Sequence, residues 1–533
     1  MDKNLLVLSD ALQAKFGHTS FREGQKEIMV PLLQGNHVLG IMSTGGGKSL
    51  TYQLPAYLFP GITLVVSPLI SLMVDQVQKL QKHGHRYATY LNSSLDRDEM
   101  RIVMEEVVAG VYQLLYISPE KLMQPQVISL LRKRGVSLVA IDEAHCISQW
   151  GHDFRTDYLK LPDLVNSLGN PLVLAVTATA TAEVQREIGE LFQILPEHQV
   201  RLTVNRPTIA IDVKWVKNDA EKQEILFSQL KELRMPGIVY CSTRQTVDKL
   251  VAKCHGEGLH RVSGFHGGMN PMERILIQEQ FVQNQLDIIF ATNAFGMGID
   301  KPDIRFVLHY HTPSSMEAYT QEIGRIGRDN QPGYACLYYR EEDLLIHHRL
   351  FAQEYPTVEE VIRFIHLFAR NQEEFNTLTH EQLFEEVGVG ENVTRLLFYY
   401  AEKAGAISSV HQLKNGYEIR KNVFQPEQMI EQLWGIIQQV KSQKYQKLKG
   451  IQDWLQGDSC LRGRMLTYFG EEMAGHHVVN CCVHCGIDPT MYEKKEMSVE
   501  IPTRLVWDLK TALSQLLPGV THYEKGEHHE DNP

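Results

Sequence analysis

Residues 38 to 50 decide the fold, and they read Val-Leu-Gly-Ile-Met-Ser-Thr-Gly-Gly-Gly-Lys-Ser-Leu. The apolar run from Val38 to Met42 predicts a buried parallel strand, and Leu50 to Leu58 predicts the helix that follows. Between them, three glycines let the backbone turn tightly and direct its N–H groups at phosphate oxygens. This order of strand, Gly-rich loop and helix predicts a nucleotide-binding α/β domain.

Within the loop, the sequence assigns a role to each polar residue. Lys48 supplies a point charge near the β- and γ-phosphates, and Ser49 holds Mg²⁺ through its hydroxyl. The positive end of the following helix adds to that field. Met42 stands where the strict motif has its first glycine, so a turn that is only a loop stays an alternative. The predicted ATP-binding residues are Thr44, Gly45, Gly46, Gly47, Lys48 and Ser49.

A second apolar run, Val136 to Ile141, ends in the acidic sequence Asp142-Glu143-Ala144-His145. Both carboxylates then emerge at the carboxyl end of a strand, where open α/β sheets bind ligands. Asp142 is predicted to hold the metal, and Glu143 to orient or deprotonate the attacking water. Such pairs are more often solvated loops, but the phosphate loop upstream in the same alternating pattern favours the catalytic interpretation.

A distant arginine pair completes the chemistry that the sequence predicts. It lies in Gln321-Glu322-Ile323-Gly324-Arg325-Ile326-Gly327-Arg328. Phosphoryl transfer gathers negative charge, and an arginine supplied by another domain is worth about 10³ to 10⁵ in rate. Arginines three residues apart could instead share an exposed helix face. Two glycines nearby weaken that alternative, since they are poor helix formers unless backbone must approach something closely.

Together these motifs resemble those of RecQ-type DNA helicases of superfamily 2. The segment from Phe16 to Gln25 is similar to the part of that family that reads adenine. The resemblance implies that Gln25 hydrogen-bonds the base, that Arg22 helps to position it, and that Gln321 joins the nucleotide contacts. It also implies an α/β fold with two RecA-like parallel-sheet motor domains and an ATP site between them.

An aromatic segment follows the acidic box and resembles the loop that distinguishes this family. Trp150, His152 and Phe154 alternate along it, and Arg155 adjoins them. Stacking faces and a cation beside the hydrolytic carboxylates suit the sensing of single-stranded bases. Alternation is more often one face of a buried strand, but Gly151 and an intervening aspartate argue against an ordinary strand.

Other segments match family motifs in order, and small hydroxyls with backbone amides can hold a sugar–phosphate backbone. Two departures concern packing or turnover rate. Ile326 replaces a small residue between the glycines, and Asn330 stands where the family usually has glycine. The matching segments are Ser67-Pro68-Leu69-Ile70-Ser71-Leu72, Thr177-Ala178-Thr179, Tyr240-Cys241-Ser242-Thr243-Arg244 and Ala291 to Asp300.

Length and charge bound the class of protein. The chain has 533 residues, 43% of them hydrophobic, which suffices for several cores. It shows no membrane span and no signal-peptide pattern, which predicts a cytoplasmic, bacterial-type, nucleoid-associated protein. A formal net charge of −11 is awkward for a DNA-binding protein. We therefore expect a local basic channel and binding that depends strongly on salt.

Periodicity and punctuation predict five regions. Strands are expected at Thr63 to Val66 in the first motor domain, and at Gly237 to Tyr240, Asp287 to Ala291 and Arg305 to His309 in the second. Arg206-Pro207 marks the linker between them. The regions are motor domain 1 (residues 1–206), motor domain 2 (207–345), a helical winged-helix-like unit (346–440), a zinc-binding module (441–490), and a C-terminal helix with a disordered tail (491–533).

The winged-helix prediction rests on three helices and a hairpin. Helices are expected at Val358 to Ala369, from Thr379 with a capping-box start, and at Val393 to Ala404. Lys414-Asn415-Gly416 is a hairpin turn signal between two short strands. The unit could contact duplex DNA or only brace its neighbours. In longer family members the winged helix follows the zinc module, so the strand-separating pin stays unassigned here.

Four cysteines cluster near the end of the chain, and they are Cys460, Cys481, Cys482 and Cys485. In a reducing compartment they predict a structural, tetrahedral Zn²⁺ site with no open position for water. His477 or His484 could replace one ligand. The segment after Cys460 resembles the helix that carries the first zinc ligand in the family.

The function expected from these patterns is that of an ATP- and Mg²⁺-dependent DNA helicase. The resemblance implies 3′ to 5′ movement and a role in recombination and repair. Expected partners are single-stranded, duplex and branched DNA and a single-stranded-DNA-binding protein, with the enzyme a monomer and no membrane involved. The chain is expected to lack the further C-terminal nucleic-acid-binding domain of longer relatives. Alternatives are an RNA helicase, or a translocase or ATP-gated clamp on structured DNA that does not unwind it efficiently.

Overall fold

The computed structural model describes residues 3–148, 156–296, 301–370, 375–413, 415–473 and 478–494. Residues up to Glu493 form one compact unit, and residues 494–533 are counted as a second. The structure describes no residue beyond 494, so most of the region expected to hold a C-terminal helix and a tail (491–533) lies outside the described residues. Within the described part, no helix is both long and apolar enough to cross a membrane.

Lobe 1, the residues up to 202, is built on a sheet of seven parallel strands. The expected strand runs are present because their apolar residues are buried on both faces of the sheet. Across the sheet the order is third, fourth, second, fifth, sixth, first, seventh. In chain order the strands are β1 (Val38–Ile41), β2 (Ile62–Val66), β3 (Ala88–Leu91), β4 (Leu114–Ile117), β5 (Val136–Ile141), β6 (Leu172–Thr177) and β7 (Gln199–Arg201).

Among the described residues of lobe 1, nine α-helices flank this sheet or precede it. The helix expected over Leu50 to Leu58 is shorter than predicted, because Pro55 has no N–H and the chain continues from there as a 3₁₀ turn, Pro55–Tyr57. The helices are α1 (Lys3–Ala11), α2 (Gln25–Leu33), α3 (Leu50–Gln53), α4 (Ile70–Lys82), α5 (Arg97–Val108), α6 (Pro119–Leu122), α7 (Pro125–Arg134), α8 (Leu161–Ser167) and α9 (Ala182–Leu191).

Lobe 2, residues 209–343, repeats the architecture with six parallel strands. The linker between the lobes is residues 203–208. The strands of lobe 2 are β8 (Ile209–Trp215), β9 (Gly237–Tyr240), β10 (Val262–Phe265), β11 (Ile288–Ala291), β12 (Phe306–His309) and β13 (Gly333–Tyr339). Its helices are α10 (Asp219–Glu232), α11 (Arg244–Gly256), α12 (Pro271–Val282) and α13 (Met316–Ile323). The predicted fold class of two RecA-like motor domains is confirmed.

A winged-helix-like unit follows helix α14 (Leu344–Glu354). Its helices are α15 (Val358–Arg370), α16 (His380–Val387) and α17 (Glu391–Lys403). The capping box at Thr379 is present, with the Thr379 hydroxyl accepting from the Gln382 N–H at 3.1 Å. The hairpin is part of a three-stranded antiparallel sheet of β14 (Phe375–Thr379), β15 (Ile407–Leu413) and β16 (Gly416–Lys421). The sequence did not predict β14.

One long helix, α18 (Pro426–Gln456, 31 residues), crosses the boundary expected between residues 440 and 441. Its first half packs in the core of the winged-helix-like unit through residues such as Leu433 and Ile437. Its second half packs against lobe 2 through residues such as Ile451 and Trp454. The last helix, α19 (Leu461–Tyr468), begins directly after Cys460 and leads to the remaining three cysteines. Residues 457–493 are called the cysteine module below.

Lobe 2 and the cysteine module share one apolar core. Ile211 of β8, Trp454 of α18, Met465 of α19 and Cys482 all belong to it. Backbone bonds also join them, since the Ile211 N–H donates to the Cys481 carbonyl at 3.2 Å. We call this shared core the joint. It makes lobe 2, the second half of α18 and the cysteine module a single packed body.

Candidate nucleotide-binding and zinc sites

A polar cleft of ≈ 930 Å³ lies between the two lobes. Strands β1, β5 and β6 end at the same edge of the lobe 1 sheet, so the phosphate loop and the acidic box face this cleft. The sequence-predicted residues that line it come from both lobes: Arg22, Gln25, Thr44, Gly45, Gly47, Lys48, Ser49, Asp142 and Glu143 from lobe 1, and Gln321, Arg325 and Arg328 from lobe 2. We call the contacts between the lobes across this cleft the seam.

The glycines of the phosphate loop allow close approach from both sides. Gly45 and Gly47 have φ values of 87° and 82°, which residues with a Cβ rarely adopt. A Cβ on Gly45 would lie 3.0 Å from side-chain carbons of Arg328, which comes from lobe 2. A Cβ on Gly47 would overlap the Gln25 amide. Because α3 is a single turn, the N–H groups and Lys48 contribute more to the phosphate field than a helix dipole does.

Gln25 and Arg22 join the adenine-reading segment to the phosphate loop. The Gln25 Nε2 donates to the Gly47 carbonyl at 3.0 Å, and its Oε1 accepts from the Arg22 backbone N–H at 2.9 Å. The Arg22 Nη1 donates to the Gly45 carbonyl at 2.9 Å. Gln25 is the first residue of α2, and its side chain is buried. A ligand in the cleft therefore meets these two side chains and the loop as one connected surface.

The acidic box is held by its neighbours at the sheet edge. The Asp142 N–H donates to the Val66 carbonyl of β2 at 2.9 Å, and Glu143 has the left-handed φ of 49°. Lys48 Nζ lies 3.9 Å from Glu143 Oε1. His145 Nδ1 lies 3.4 Å from Glu143 Oε2 and 2.9 Å from the Thr177 hydroxyl. The box is thereby linked to the Thr177-Ala178-Thr179 segment.

Burial governs the ionisation of Asp142. Desolvation, reinforced by the adjacent Glu143 carboxylate, raises the pKa of Asp142 to about 7, and Lys48 opposes the shift. A bound dication favours the ionised form of such a carboxyl, because its charge outweighs the burial penalty. The oxygen donors of Asp142 and Ser49 at the cleft fit Mg²⁺, which prefers carboxylate and hydroxyl ligands.

The arginine pair projects from a turn at the end of α13. The Thr44 hydroxyl of the phosphate loop donates to the Gly324 carbonyl at 2.7 Å, so the two lobes touch here directly. A Cβ on Gly324 would overlap that hydroxyl, which explains the glycine. Arg325 is buried and donates through Nη1 to the Gly296 carbonyl. Arg328 lies against the phosphate loop at Gly45.

Both departures from the family pattern have a structural explanation. Ile326 is fully buried in the joint and packs against Gly333, where a Cβ would collide with it. Asn330 has a φ of 63°, and asparagine tolerates this left-handed conformation better than most residues. The turn that carries the arginines is therefore well packed with the residues present.

The four cysteines form a cluster that fits a zinc ion. Their sulfurs all lie within 4.8 Å of one another, and Cys460 to Cys481, Cys482 to Cys460 and Cys482 to Cys485 are 3.6, 3.8 and 3.6 Å apart. Tetrahedral Zn²⁺ with bonds of about 2.3 Å requires sulfur separations of about 3.8 Å. His484 is described and does not belong to the cluster, whereas His477 lies outside the described residues.

The structure does not describe one predicted segment, and it adds two residues that were not predicted. Trp150, His152, Phe154 and Arg155 fall outside the described residues. No site role was predicted for Arg206 or Arg462, both of which contact backbone near the cleft. Most of their partners are backbone carbonyl oxygens, which no side-chain pattern reveals. The only features of the sequence that could have pointed to these arginines are the position of Arg206 in the predicted linker and that of Arg462 close to Cys460.

Three families match the chain in order. The DEAD/DEAH box helicase family matches residues 22–188, and the helicase conserved C-terminal domain matches residues 221–330. The RecQ zinc-binding family matches residues 420–488. The first two correspond to lobes 1 and 2, and the third covers all of α18 and all four cysteines.

Curated relatives extend the likeness along the chain. A Bacillus subtilis (strain 168) protein named probable ATP-dependent DNA helicase RecS is 40% identical over 491 residues, 92% of this chain and 94% of that protein. The ATP-dependent DNA helicase RecQ of Pasteurella multocida is 40% identical over 345 residues, 65% of this chain. The chain spans 54% of that RecQ protein, or about half its length.

Solved structures show the same fold at low sequence identity. The helicase MrfA bound to DNA and AMPPNP aligns with a TM-score of 0.54 and 18% identity over 80% of this chain and 63% of that one. Saccharomyces cerevisiae Dbp5 bound to RNA and ADP BeF3 aligns with a TM-score of 0.51 and 19% identity over 65% of this chain and 90% of that one.

Proposed function

Because the chain belongs to the RecQ-type family of superfamily 2 helicases, we propose that it unwinds DNA by moving 3′ to 5′ along one strand, driven by ATP hydrolysis. The observation that carries this proposal is the seam. One cleft is lined by the phosphate loop and acidic box of lobe 1 and by the arginine pair of lobe 2. A ligand held there contacts both lobes, so its binding and its hydrolysis depend on the distance between the lobes. The cellular setting we propose is DNA recombination and repair.

The nucleotide lies with its phosphates on the loop of residues 44–49. The loop N–H groups and Lys48 bind the β- and γ-phosphates, and Gln25 and Arg22 face the base. The Gln25 side-chain amide lies 3.0 Å from the Gly47 carbonyl of the loop. When adenine binds, this amide either leaves the carbonyl for the adenine edge or bonds to both. Gln321 closes the cleft from lobe 2.

Hydrolysis requires a metal, a positioned water and charge stabilisation. Ser49 and Asp142 would hold Mg²⁺, which would supply neutralising charge at the phosphates. Glu143 orients the attacking water and accepts its proton. His145 lies beside the Glu143 carboxylate and contacts the Thr177 hydroxyl through the same Nδ1, so a proton on this ring would favour the Glu143 carboxylate.

Arg325 and Arg328 stabilise the charge that develops on the transferred phosphoryl group. Arg328 already lies beside the phosphate loop, whereas Arg325 is bonded to the Gly296 carbonyl and must turn to reach a phosphate. A phosphate that attracts both arginines pulls lobe 2 onto lobe 1, and loss of the γ-phosphate releases it. Repeated closure and opening of the seam then moves the protein along the strand.

Single-stranded DNA contacts the aromatic segment Trp150, His152, Phe154 and Arg155 next to the acidic box in sequence. Stacking of bases on these side chains explains how DNA could stimulate hydrolysis. The cysteine cluster holds Zn²⁺ in a structural role, since four thiolates leave no open coordination position. The monomer is proposed to act on single-stranded, duplex and branched DNA.

Strand displacement on overhang, fork and Holliday-junction substrates of both polarities tests the proposal. We expect displacement with ATP and Mg²⁺ when the single strand is a 3′ overhang, and none with a non-hydrolysable analogue. The Lys48→Ala variant should show no detectable strand displacement, because loss of the point charge in its phosphate loop lowers ATP hydrolysis by about 10²- to 10³-fold. Displacement by that variant would contradict the motor mechanism.

Two control measurements separate the alternatives. DNA-stimulated ATP hydrolysis without strand displacement would favour a translocase or an ATP-gated clamp. Stronger stimulation by RNA than by DNA of the same sequence would favour an RNA helicase. Each outcome leaves the nucleotide site intact but changes the substrate or the output of the cycle.

A further inference from the structure

The turn that carries Arg325 and Arg328 is held by a third arginine from the linker. Helix α13 ends at Ile323, and the carbonyls that follow a helix end have no partner within the helix. Arg206 donates to three of them: Nη1 to Gly324 at 3.3 Å, and Nη2 to Ile326 and to Gly327, both at 2.9 Å. The backbone on both sides of Arg325 is thus fixed from outside lobe 2.

The chemistry of arginine suits this position. A planar guanidinium can serve several carbonyls at once, and its positive charge is favoured at the carboxyl end of a helix. Burial lowers the pKa of Arg206, but an arginine stays protonated in proteins. A lysine offers a compact charge without the fork and could not match all three acceptors.

One carbonyl connects this arginine to the phosphate loop. The Gly324 oxygen accepts from Arg206 and also from the Thr44 hydroxyl, at 2.7 Å. The linker, the arginine turn and the loop therefore meet at a single atom. A small displacement of Arg206 moves the turn and changes what the arginine pair presents to the cleft.

Arg206 is itself held in place by the cysteine module. Arg462 of α19 is 1% exposed and forms five bonds. Its Nη1 donates to the Asn205 side chain and to the Arg206 carbonyl, both at 2.9 Å, and its Nη2 donates to the Ile209 carbonyl. On the other side, its Nη2 donates to the Cys481 carbonyl and its Nε to the Cys481 sulfur, both at 3.3 Å. It spans the space from the linker to the zinc cluster.

We infer that Arg206 is a positioning residue for the arginine pair, and that Arg462 fastens Arg206 to the cysteine cluster. The connection runs from Cys481 through Arg462 and Arg206 to the turn at Gly324. It makes the zinc module a support for the nucleotide site as well as for the fold. This inference rests on the proposed function, since it assumes that Arg325 and Arg328 act on ATP.

The Arg206→Gln variant tests the first link. A turn displaced by about 1 Å can cost up to about 100-fold in rate. We expect kcat for DNA-stimulated ATP hydrolysis to fall about 10- to 100-fold, with the KM for ATP and the melting temperature nearly unchanged. Arg201→Gln is the matched control, because Arg201 is exposed and its guanidinium donates to the neighbouring Gln199 side chain. Its kcat should equal that of the wild type.

Two results would overturn the role of Arg206. One is an unchanged kcat in Arg206→Gln. The other is a parallel loss of kcat, ATP affinity and melting temperature, which is the signature of a merely structural residue. The Arg206→Lys variant adds a conservative comparison, and we expect it to recover only part of kcat, since the fork geometry is lost.

A double-mutant cycle tests the second link. If Arg462 acts through Arg206, the Arg206→Gln/Arg462→Gln protein should be no slower than the slower single variant. Multiplying effects would show that the two arginines act independently and would overturn the connection. Zinc content and melting temperature are measured for every variant, because loss of a buried arginine can unfold its surroundings.

A gentler variant keeps this test decisive if Arg462→Gln fails to fold. Asn205→Ala removes one acceptor of Arg462 and leaves Arg462 and the cysteines in place. We expect a kcat loss of a few-fold in the wild-type background and none in the Arg206→Gln background. A wild type without DNA-stimulated hydrolysis would refute the proposed function, whereas an active wild type with a fully active Arg206→Gln would refute only this inference.

Discussion

The seam and the joint are two of the places where lobe 2 meets other parts of the protein, and they are built in opposite ways. At the seam the named contacts are polar, such as the Thr44 hydroxyl on the Gly324 carbonyl. Among the described residues, the buried apolar clusters of lobe 1 contain no residue of lobe 2. At the joint, one apolar cluster runs from lobe 2 into α18 and the cysteine module.

This difference assigns the motion. A hydrogen bond exchanged with water or a ligand changes stability by only about 0.5–1.5 kcal/mol. Exposing one large apolar side chain costs about 1.5–3 kcal/mol, and the joint buries many. We therefore expect the seam to open and close during the ATP cycle while the joint moves with lobe 2 as one body. The following predictions address one region or the other.

Removal of zinc should have the largest effect, and it should fall on the joint. Structural Zn²⁺ contributes about 10 kcal/mol or more to folding in small zinc peptides. Cys482→Ala, or chelation in mild denaturant, should lower the melting temperature of lobe 2 and the cysteine module. Nucleotide binding to lobe 1 should persist, because its cores are separate. Calorimetry with nucleotide titration measures both.

Cys254→Ala is the control for the zinc prediction. Cys254 is buried in lobe 2 but is not part of the cysteine cluster. Its loss should cost only a few kcal/mol, as a small core cavity does. Equal destabilisation by the two variants would mean that the cluster holds no structural metal.

Next in size is the loss of an arginine across the seam. Arg328→Ala should lower kcat for ATP hydrolysis by about 10³-fold or more, since arginines in such positions are worth about 10³ to 10⁵. A non-hydrolysable analogue should still bind, because lobe 1 provides the phosphate loop, and its affinity should fall by much less than kcat. Stopped hydrolysis with retained binding places the effect at the seam, and a kcat within a few-fold of wild type would exclude the arginine pair from the chemistry.

The third largest effect is expected from loss of the Lys48 ammonium group in lobe 1. Lys48→Ala should reduce hydrolysis by about 10²- to 10³-fold, the range for removing one electrostatic stabiliser. Here ATP binding should weaken as well, since Lys48 faces the cleft beside Glu143. Lys26→Ala is the control, because its side chain is 55% exposed on α2. Binding and turnover in Lys26→Ala should match the wild type.

The smallest expected effect is a pH dependence of the packed body. Burial lowers the pKa of His311 to about 3, with Lys222 and His347 nearby also lowering it and Asp219 raising it. Its Nδ1 accepts from the Ser242 N–H at 3.0 Å, which requires the neutral ring. Below its ordinary pKa of about 6.5 the unfolded chain takes up a proton that the folded chain does not. Stability should therefore fall as pH falls from 7 to 5, by about 2 kcal/mol.

Denaturant unfolding at pH 7 and pH 5 checks this prediction. His311→Asn keeps an acceptor near Ser242 but cannot titrate, so the acid sensitivity should shrink by the amount assigned to His311. An identical pH profile in the variant would show that the imidazole does not contribute. Other buried groups, such as His347, whose pKa burial also lowers, account for the remainder.

Much of the fold was predictable from local sequence, because its signals are strong. The strand at Val136 to Ile141 and the strand at Gly237 to Tyr240 have the predicted bounds, since each is an apolar run buried on both faces. Helix α18 was not predicted. Its buried face changes partner midway, from the winged-helix-like unit to lobe 2, and periodicity does not name a partner.

The residues of the candidate site also divide into those that the local sequence predicts and those that depend on the fold. Lys48, Asp142 and Glu143 were placed together by strand ends, and the cysteine cluster by its spacing. The supports of the site, Arg206 and Arg462, depend on carbonyl acceptors that only the fold brings near. The early end of α3 has, by contrast, a cause that the sequence contains, since Pro55 interrupts the helix.

Distances across the seam and across the joint, measured in one protein by single-molecule fluorescence energy transfer, test the central claim most directly. Dyes placed through encoded reactive amino acids at exposed Asp98 of lobe 1, Glu279 of lobe 2 and Glu472 of the cysteine module would report both regions. On addition of single-stranded DNA and a non-hydrolysable ATP analogue, the Asp98 to Glu279 distance should change and return after washout, while the Glu279 to Glu472 distance stays constant. An unchanged seam distance, or a joint distance that changes as much, would contradict the account.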